Sequence, residues 1–130
     1  MSRLPVPSSQ LRFLSPPPGL APLVDFTLAQ LDGTPGLFSL TAQDGSVRLF
    51  VLDATLHVPH YLPQLPASGL ESIGAETASA LILVVVSPGA TSTVNLSAPI
   101  VVNPATGACL QIILDGSDWQ LRHPLGPPAS

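Results

Sequence analysis

Turn-forming residues interrupt the sequence so often that only short elements of secondary structure can form. The chain contains 16 prolines and 10 glycines, and proline removes a backbone donor from a helix interior or a central strand. Turn signals recur about every ten residues, and β-branched residues dominate from about residue 45 onward. This spacing predicts an all-β domain of about seven short strands, arranged as a sandwich or a barrel.

Alternating apolar residues locate the strands between these turns. Residues 46–53 (SVRLFVLD) carry apolar side chains on both predicted faces, so both faces are expected to be at least partly covered. Residues 80–86 form the longest apolar run and are typical of a buried strand. The predicted strands are 11–14, 24–31, 37–41, 46–53, 80–86, 94–103, 108–114 and 119–122.

Two local motifs add a hairpin and one helical turn. The Asp44–Gly45 pair is typical of a tight turn between two antiparallel strands. Ser68, with Glu71 three residues later, has the spacing of a capping box. One short helical turn is therefore predicted over 68–74.

The length and charge of the chain limit what it binds. At 130 residues the chain has room for one domain. Only 9% of its residues are charged, its formal net charge is −4, and its four cations are scattered arginines. Because phosphate neutralisation needs clustered cations, direct binding to nucleic acid is not expected. A mildly acidic surface is better suited to a basic protein partner.

Cysteine content and hydropathy bear on the cellular compartment. Cys109 is the only cysteine, so an intrachain disulfide cannot form. The first 15 residues lack the apolar region of a signal peptide, because Pro5 and Pro7 interrupt it. The longest apolar run, 80–86, falls well short of the about 20 residues of a membrane-spanning helix. We therefore expect a cytoplasmic protein without membrane association.

Few residues offer catalytic or metal-binding chemistry. His57 and His60, with Asp53 nearby, provide an incomplete set of metal ligands. Cys109 and His123 are a conceivable nucleophile and base, although the strand pattern around Cys109 favours a structural thiol. A small hydrolase or metal-binding protein that uses His57, His60, Asp53 or Cys109 is therefore the alternative to a binding module. No cofactor is predicted.

Residues 91–103 (TSTVNLSAPIVVN) have the alternation of a strand with one buried face. Because Pro99 lacks a donor, this strand is expected to be an edge or to be bulged. Such an edge is a plausible docking site for a partner segment; alternatively, Pro99 only prevents aggregation and Asn103 begins a turn. The predicted outward residues are Asn95, Ser97, Pro99, Val101 and Asn103.

Residues 92–125 resemble the C-terminal half of the FliW family of flagellar assembly factors. The resemblance has three elements in the family's order and spacing. The first is NLSAPIVVN at 95–103, the second is QIIL at 111–114, and the third is the RHPL ending at 122–125. Upstream, residues 11–20 and 49–65 also resemble the family. His57, His60 and Ser97 depart from its usual residues. Residues 1–10 do not supply the additional N-terminal strand usual in the family, so a short or divergent member is expected.

The resemblance implies a function and a fold. FliW-family members are non-enzymatic cytoplasmic proteins that bind flagellin. When free, they bind the small basic RNA-binding regulator CsrA, relieving its block on flagellin translation. The family fold is a small β-barrel-like domain, so an antiparallel or mixed barrel with one helical turn is expected.

The resemblance also suggests a domain division and a partner site. It covers one domain over 11–125. The absence of a paired pattern predicts a loose segment over 1–10, the sequence GPPAS predicts a flexible tail over 126–130, and the free protein is expected to be a monomer. The partner segment is expected to meet the outward side of the 94–103 strand and the neighbouring 57–63 loop. The implied partner-binding residues are Asn95, Leu96, Ser97, Pro99, Val101, Asn103, Tyr61 and Pro59.

Overall fold

A computed structural model describes residues 8–15, 20, 22–31, 36–54, 58, 61, 65, 67–74, 80–87, 93–114 and 123–124. Within these ranges the chain forms mainly strands, as predicted, with one short helix. The elements are β1 (Ser8–Phe13), β2 (Asp25–Gln30), β3 (Leu37–Ala42), β4 (Arg48–Asp53), α1 (Ala67–Ser72), β5 (Leu81–Ser87), β6 (Thr93–Val94), β7 (Ile100–Val102), β8 (Ala108–Gln111) and β9 (His123–Pro124).

Seven strands close into a mixed barrel, which confirms the expected fold class. The strand order is β4-β3-β2-β1-β8-β7-β5, and pairing between β4 and β5 closes the ring. The β1–β8 pair is parallel and the other pairs are antiparallel. β6 pairs with the end of β5 on the edge that β7 uses further along, and β9 pairs with β6.

The strand bounds differ from prediction mainly where the pattern gave no clear turn. β1 begins at Ser8, so residues 8–10, expected in a loose segment, lie in this strand. The predicted strand at 94–103 is instead divided into β6 and β7. The predicted strand at 119–122 lies outside the described residues.

The Asp44–Gly45 hairpin forms between β3 and β4 as predicted. Gly45 has a φ of 79°, the left-handed conformation that glycine adopts without a steric penalty. The carboxylate of Asp44 accepts hydrogen bonds from the backbone N–H of Ser46 at 2.9 Å and from its hydroxyl at 2.6 Å. These hydrogen bonds lower the pKa of Asp44.

Inward-facing residues of all seven strands fill the barrel. Phe13 of β1 and Phe26 of β2 pack edge to face with ring centroids 5.2 Å apart, an arrangement that aromatic pairs favour. Each fully buried side chain of this size contributes about 1.5–3 kcal/mol to folding. The buried interior residues are Leu11, Phe13, Phe26, Leu28, Leu40, Ala42, Val51, Leu83, Ile100, Val102 and Cys109.

The parallel β1–β8 pair joins the N-terminal and C-terminal parts of the barrel. The N–H of Arg12 donates to the carbonyl of Gly107 at 2.9 Å. The N–H of Leu14 donates to the carbonyl of Cys109 at 3.0 Å. Gly107 has a φ of 84°, and a Cβ added to it would lie 2.4 Å from the carbonyl oxygen of Gln10. Only glycine fits between the two strands at this point.

The short helix α1 packs on the outer face of β7 and the segment after β8. Leu70 and Ile73 form a buried cluster with Val101 and Ile112. The helix begins at Ala67, so Ser68 lies within its first turn rather than at the predicted cap. At this position the sheet is therefore buried on both faces, on the inside by the barrel interior and on the outside by α1.

Candidate partner-binding surface

The segment from β6 to β7 is not the continuous edge strand that its alternation predicts. β6 ends at Val94 and β7 begins at Ile100, with an irregular stretch between them. β7 pairs with β5 on one side and with β8 on the other. Neither side of β7 is a free edge, so the edge interpretation is wrong.

An asparagine-centred turn shapes the start of this stretch. The side-chain oxygen of Asn95 accepts hydrogen bonds from the backbone N–H of Ser97 at 3.0 Å and from its hydroxyl at 2.9 Å. The N–H of Asn95 donates to the carbonyl of Val85 at 3.0 Å. Asparagine forms such local turns readily, so the chain leaves the β6 direction here.

Pro99 marks the point at which the chain joins the β7–β8 ladder. The N–H of Ile112 donates to the carbonyl of Pro99 at 2.9 Å, and that of Leu114 donates to the carbonyl of Ser97 at 2.8 Å. In a regular antiparallel pair, the residue at position 99 would also donate its N–H to the carbonyl of Ile112, but proline has no N–H. β7 accordingly begins at the next residue.

Two of the predicted outward side chains are buried. Pro99 is less than 2% exposed and Val101 is fully buried, which corrects the expected orientation. Val101 does point away from the barrel interior, but α1 covers it through Leu70 and Ile73. Alternation along a strand shows which residues share a face, whereas it does not show what packs against that face.

Asn103 connects the end of β7 to α1. Its side-chain nitrogen donates to the carbonyls of Ile73 at 2.9 Å and Gly74 at 3.1 Å, where α1 ends. Its side-chain oxygen accepts from the N–H of Ala105 at 2.9 Å. One amide thus satisfies orphan carbonyls at the helix end and shapes the β7–β8 turn.

Tyr61 brings the two predicted partner-binding segments together. Its hydroxyl donates a hydrogen bond to the carbonyl of Leu96, and its ring packs with Val58, Val94 and Leu96 in a buried cluster. Burial raises the pKa of Tyr61. Pro59, which belongs to the same predicted site, lies outside the described residues.

Three of the predicted contact residues remain partly exposed: Asn95, Ser97 and Asn103. They lie along the irregular stretch and at the end of β7. Leu96, Pro99 and Val101 are buried. Their side chains therefore support the exposed residues of this stretch by packing below them.

A cavity of about 200 Å³ opens at the end of the barrel beside Asn95. Its floor is formed by the buried side chains of Phe13, Leu40 and Ile100. Asn95 and Gln111 line it as the two polar residues. Gln111 was predicted only as part of a strand and of the family-like QIIL element, and its position on the same face as the buried Cys109 is apparent only from the structure.

The residues proposed for chemistry do not form a reactive site within the described structure. Cys109 is fully buried in the barrel, and burial raises the pKa of its thiol to about 12. His123 lies in β9, opposite Val94 of β6. His57 and His60 lie outside the described residues, and Asp53, at the end of β4, is partly buried.

The described residues also offer neither a metal site nor a membrane-spanning helix. They contain no group of three or more histidine, cysteine or acidic side chains that could hold a metal ion. No helix among them has the length and apolar character needed to cross a membrane.

Comparison with known proteins gives a consistent result. Residues 5–125 match the family model described as "FliW protein". The "Flagellar assembly factor FliW" of Moorella thermoacetica is 32% identical over 125 residues, covering 92% of this chain and 79% of the relative. That of Thermotoga neapolitana is 33% identical over 112 residues, covering 82% and 75%.

Other matches are shorter or more distant in sequence. The Thermotoga maritima protein of the same name is 38% identical over 89 residues, which cover 65% of this chain and only 60% of that relative. A structure described as "Crystal structure of the flagellar assembly factor FliW" superposes with a TM-score of 0.83 at 23% identity, covering 93% of this chain and 88% of the other. This likeness establishes a shared fold. With the family model spanning most of the sequence, the chain belongs to the FliW family of flagellar assembly factors.

Proposed function

We propose that this protein is a cytoplasmic, non-enzymatic partner switch in flagellar assembly. It binds flagellin and, when free, binds and antagonises a CsrA-type RNA-binding regulator, which promotes flagellin synthesis. The observation that carries the proposal is the match to the FliW family over residues 5–125. The formal net charge of −4 suits a basic partner of this kind.

The described residues favour binding over catalysis. The one thiol, that of Cys109, is buried and has a raised pKa, so it is a poor nucleophile. Buried groups in the 94–103 region are instead used to hold the chain in one conformation, as the Tyr61–Leu96 hydrogen bond illustrates. A rigid, partly polar surface lowers the entropic cost of binding a partner.

Within the predicted site, we assign two different roles. The partly exposed Asn95, Ser97 and Asn103 contact the partner. The buried Leu96, Pro99, Val101 and Tyr61 position that surface, and Pro59 belongs to the adjoining segment. This division predicts that a substitution at Ser97 weakens binding without unfolding the protein, whereas a substitution at Asn103 also lowers stability through its hydrogen bonds to the end of α1.

The test is direct binding to purified flagellin and to the CsrA-type regulator of the same organism, measured by calorimetry. Binding of both at micromolar or lower Kd is expected. Adding the protein to a regulator–RNA complex should release RNA in a gel-shift assay, and prior saturation with flagellin should prevent that release. Absence of both interactions at micromolar concentrations would overturn the proposed function.

A surface variant tests the location of the site. Ser97→Lys keeps the backbone hydrogen bond to Asn95 and places a long cation on the proposed surface. We expect it to weaken binding of at least one partner by about tenfold, equivalent to about 1.4 kcal/mol. Gln30→Lys, at an exposed position at the end of β2, is the charge-matched control. Equal affinities for the two variants would exclude this surface while leaving the function intact.

A further inference from the structure

The two amides at the barrel-end cavity are oriented by their own hydrogen bonds. Because the oxygen of Asn95 accepts from Ser97, its Nδ2 group remains as a donor. Because Nε2 of Gln111 donates to the carbonyl of Ala98 at 2.9 Å, its Oε1 atom remains as an acceptor. Within the described structure, neither remaining group has a hydrogen-bond partner.

A donor and an acceptor on one cavity are complementary to a neutral amide. The carbonyl of a peptide group would accept from Asn95, and its N–H would donate to Gln111. The eight described lining residues include no charged side chain, so an ammonium or carboxylate would be desolvated there without a counter-charge. The polar part of the occupant is therefore uncharged.

The size of the cavity sets the apolar part of the occupant. Its volume of about 200 Å³ exceeds the about 150 Å³ of an engineered apolar cavity that binds benzene. Phe13, Leu40 and Ile100 provide an apolar floor that is at most 2% exposed. One side chain of the size of leucine would fill this space and remove it from water.

The surroundings of the cavity indicate an extended segment rather than a free small molecule. The β1–β8 ladder stops at Cys109, whereas β8 continues to Gln111. Leu14 and Ile113, beside this end of the ladder, are 48% and 52% exposed, and they are the exposed large apolar residues of the described structure. Phe13 and Gln111, which line the cavity, are within two residues of Leu14 and Ile113 in sequence, so a protein segment seated on the cavity finds further apolar surface beside it that a free small molecule would leave exposed.

We infer that the barrel-end cavity binds one aliphatic side chain, together with its peptide amide, from an extended segment of a partner protein. Asn95 and Gln111 hold the amide, and the apolar floor receives the side chain. This inference rests on the proposed function, because the segment is taken from a protein partner. It adds the chemical class of the residue that the site selects.

The first test is an NMR titration of the full chain with two blocked tripeptides. The probe N-acetyl-Ser-Leu-Ser-amide should shift resonances of Asn95, Gln111 and Ile113. N-acetyl-Ser-Gly-Ser-amide, which lacks the side chain, should bind about tenfold more weakly, because a buried aliphatic side chain contributes more than 1.4 kcal/mol. Equal binding of the two peptides, or shifts confined to another surface, would overturn the inference.

Variants then separate the polar and apolar contributions. Asn95→Asp keeps the oxygen that Ser97 requires and replaces the donor with an acceptor, so it should weaken leucine-peptide binding by about tenfold. Gln30→Glu is the control for the added negative charge and should leave binding unchanged. Val85→Phe, which fills the cavity, should abolish binding. Wild-type affinity in Asn95→Asp or in a folded Val85→Phe variant would refute the inference.

Calorimetry with flagellin and the regulator distinguishes this inference from the proposed function. If both partners bind the wild-type protein and the Val85→Phe variant equally, the cavity is not used and the proposed function stands. If the leucine peptide binds but neither partner does, the cavity assignment is supported and the proposed function falls.

Discussion

Replacing Gly107 with alanine tests the closure of the barrel. A left-handed residue other than glycine costs about 1–2 kcal/mol, and Gly107 has a φ of 84°. The added Cβ would also lie 2.4 Å from the carbonyl oxygen of Gln10, a distance that forces β1 and the β7–β8 turn apart. Overpacking of this kind costs about 1–3 kcal/mol. The expected total loss of stability is therefore about 2–5 kcal/mol.

Gly45→Ala is the matched control for Gly107→Ala. Gly45 has a φ of 79° but no atom within 4 Å of an added Cβ. Its alanine variant should therefore lose only the conformational term of about 1–2 kcal/mol. The difference between the two variants isolates the contact with Gln10.

Urea unfolding followed by far-UV circular dichroism measures both losses of stability. Linear extrapolation gives the free energy of unfolding of each variant and of the unmodified chain. Gly107→Ala should lose at least about 1 kcal/mol more than Gly45→Ala. If the two losses agree within about 0.5 kcal/mol, the close approach of β1 to Gly107 is refuted.

Three further predictions concern side chains. Tyr61→Phe should lower the free energy of unfolding by about 1–2 kcal/mol, because it leaves the buried Leu96 carbonyl without this donor; an unchanged urea midpoint would contradict that hydrogen bond. Asn103→Ala should lose about 1–3 kcal/mol through its bonds to the end of α1, and Asn103→Asp, which sets a carboxylate oxygen against the same two carbonyls, should lose at least as much; unchanged stability in either variant would contradict those hydrogen bonds. Native Cys109 should resist Ellman's reagent at about pH 8 and react after unfolding. Rapid labelling of the folded protein would contradict burial. Because burial raises the pKa of the Cys109 thiol from 9.0 to about 12, the stability gained by burying the neutral thiol is complete below about pH 9 and declines as the pH rises toward 12.

The strands of the barrel were largely predictable from sequence, and the reason is local. The Asp44–Gly45 turn and the alternation in β2, β3 and β4 depend on residues close together in the chain. The closure of the ring was not predictable from pattern. It depends on a parallel contact between β1 and β8, far apart in sequence, for which the residues of either strand give no signal.

In the region proposed for partner binding, the sequence indicated where the strand is interrupted but not which side chains are buried. Pro99 correctly indicated an interruption of the strand, because the missing N–H is a local property. The burial of Val101 depends on α1, which reaches it from elsewhere in the chain. The role of Asn103 in holding that helix also follows from tertiary contact. Both features depend on contacts between residues far apart in the sequence, which a local pattern does not indicate.

The parallel β1–β8 pair also has a consequence during synthesis of the protein. The ribosome releases β1 early, but its partner β8 emerges only when most of the described chain has been made. Until then β1 has only β2 beside it, and its other edge is open to pairing with neighbouring chains. Slow translation, or truncation before Ala108, should therefore favour aggregation over a partly folded monomer.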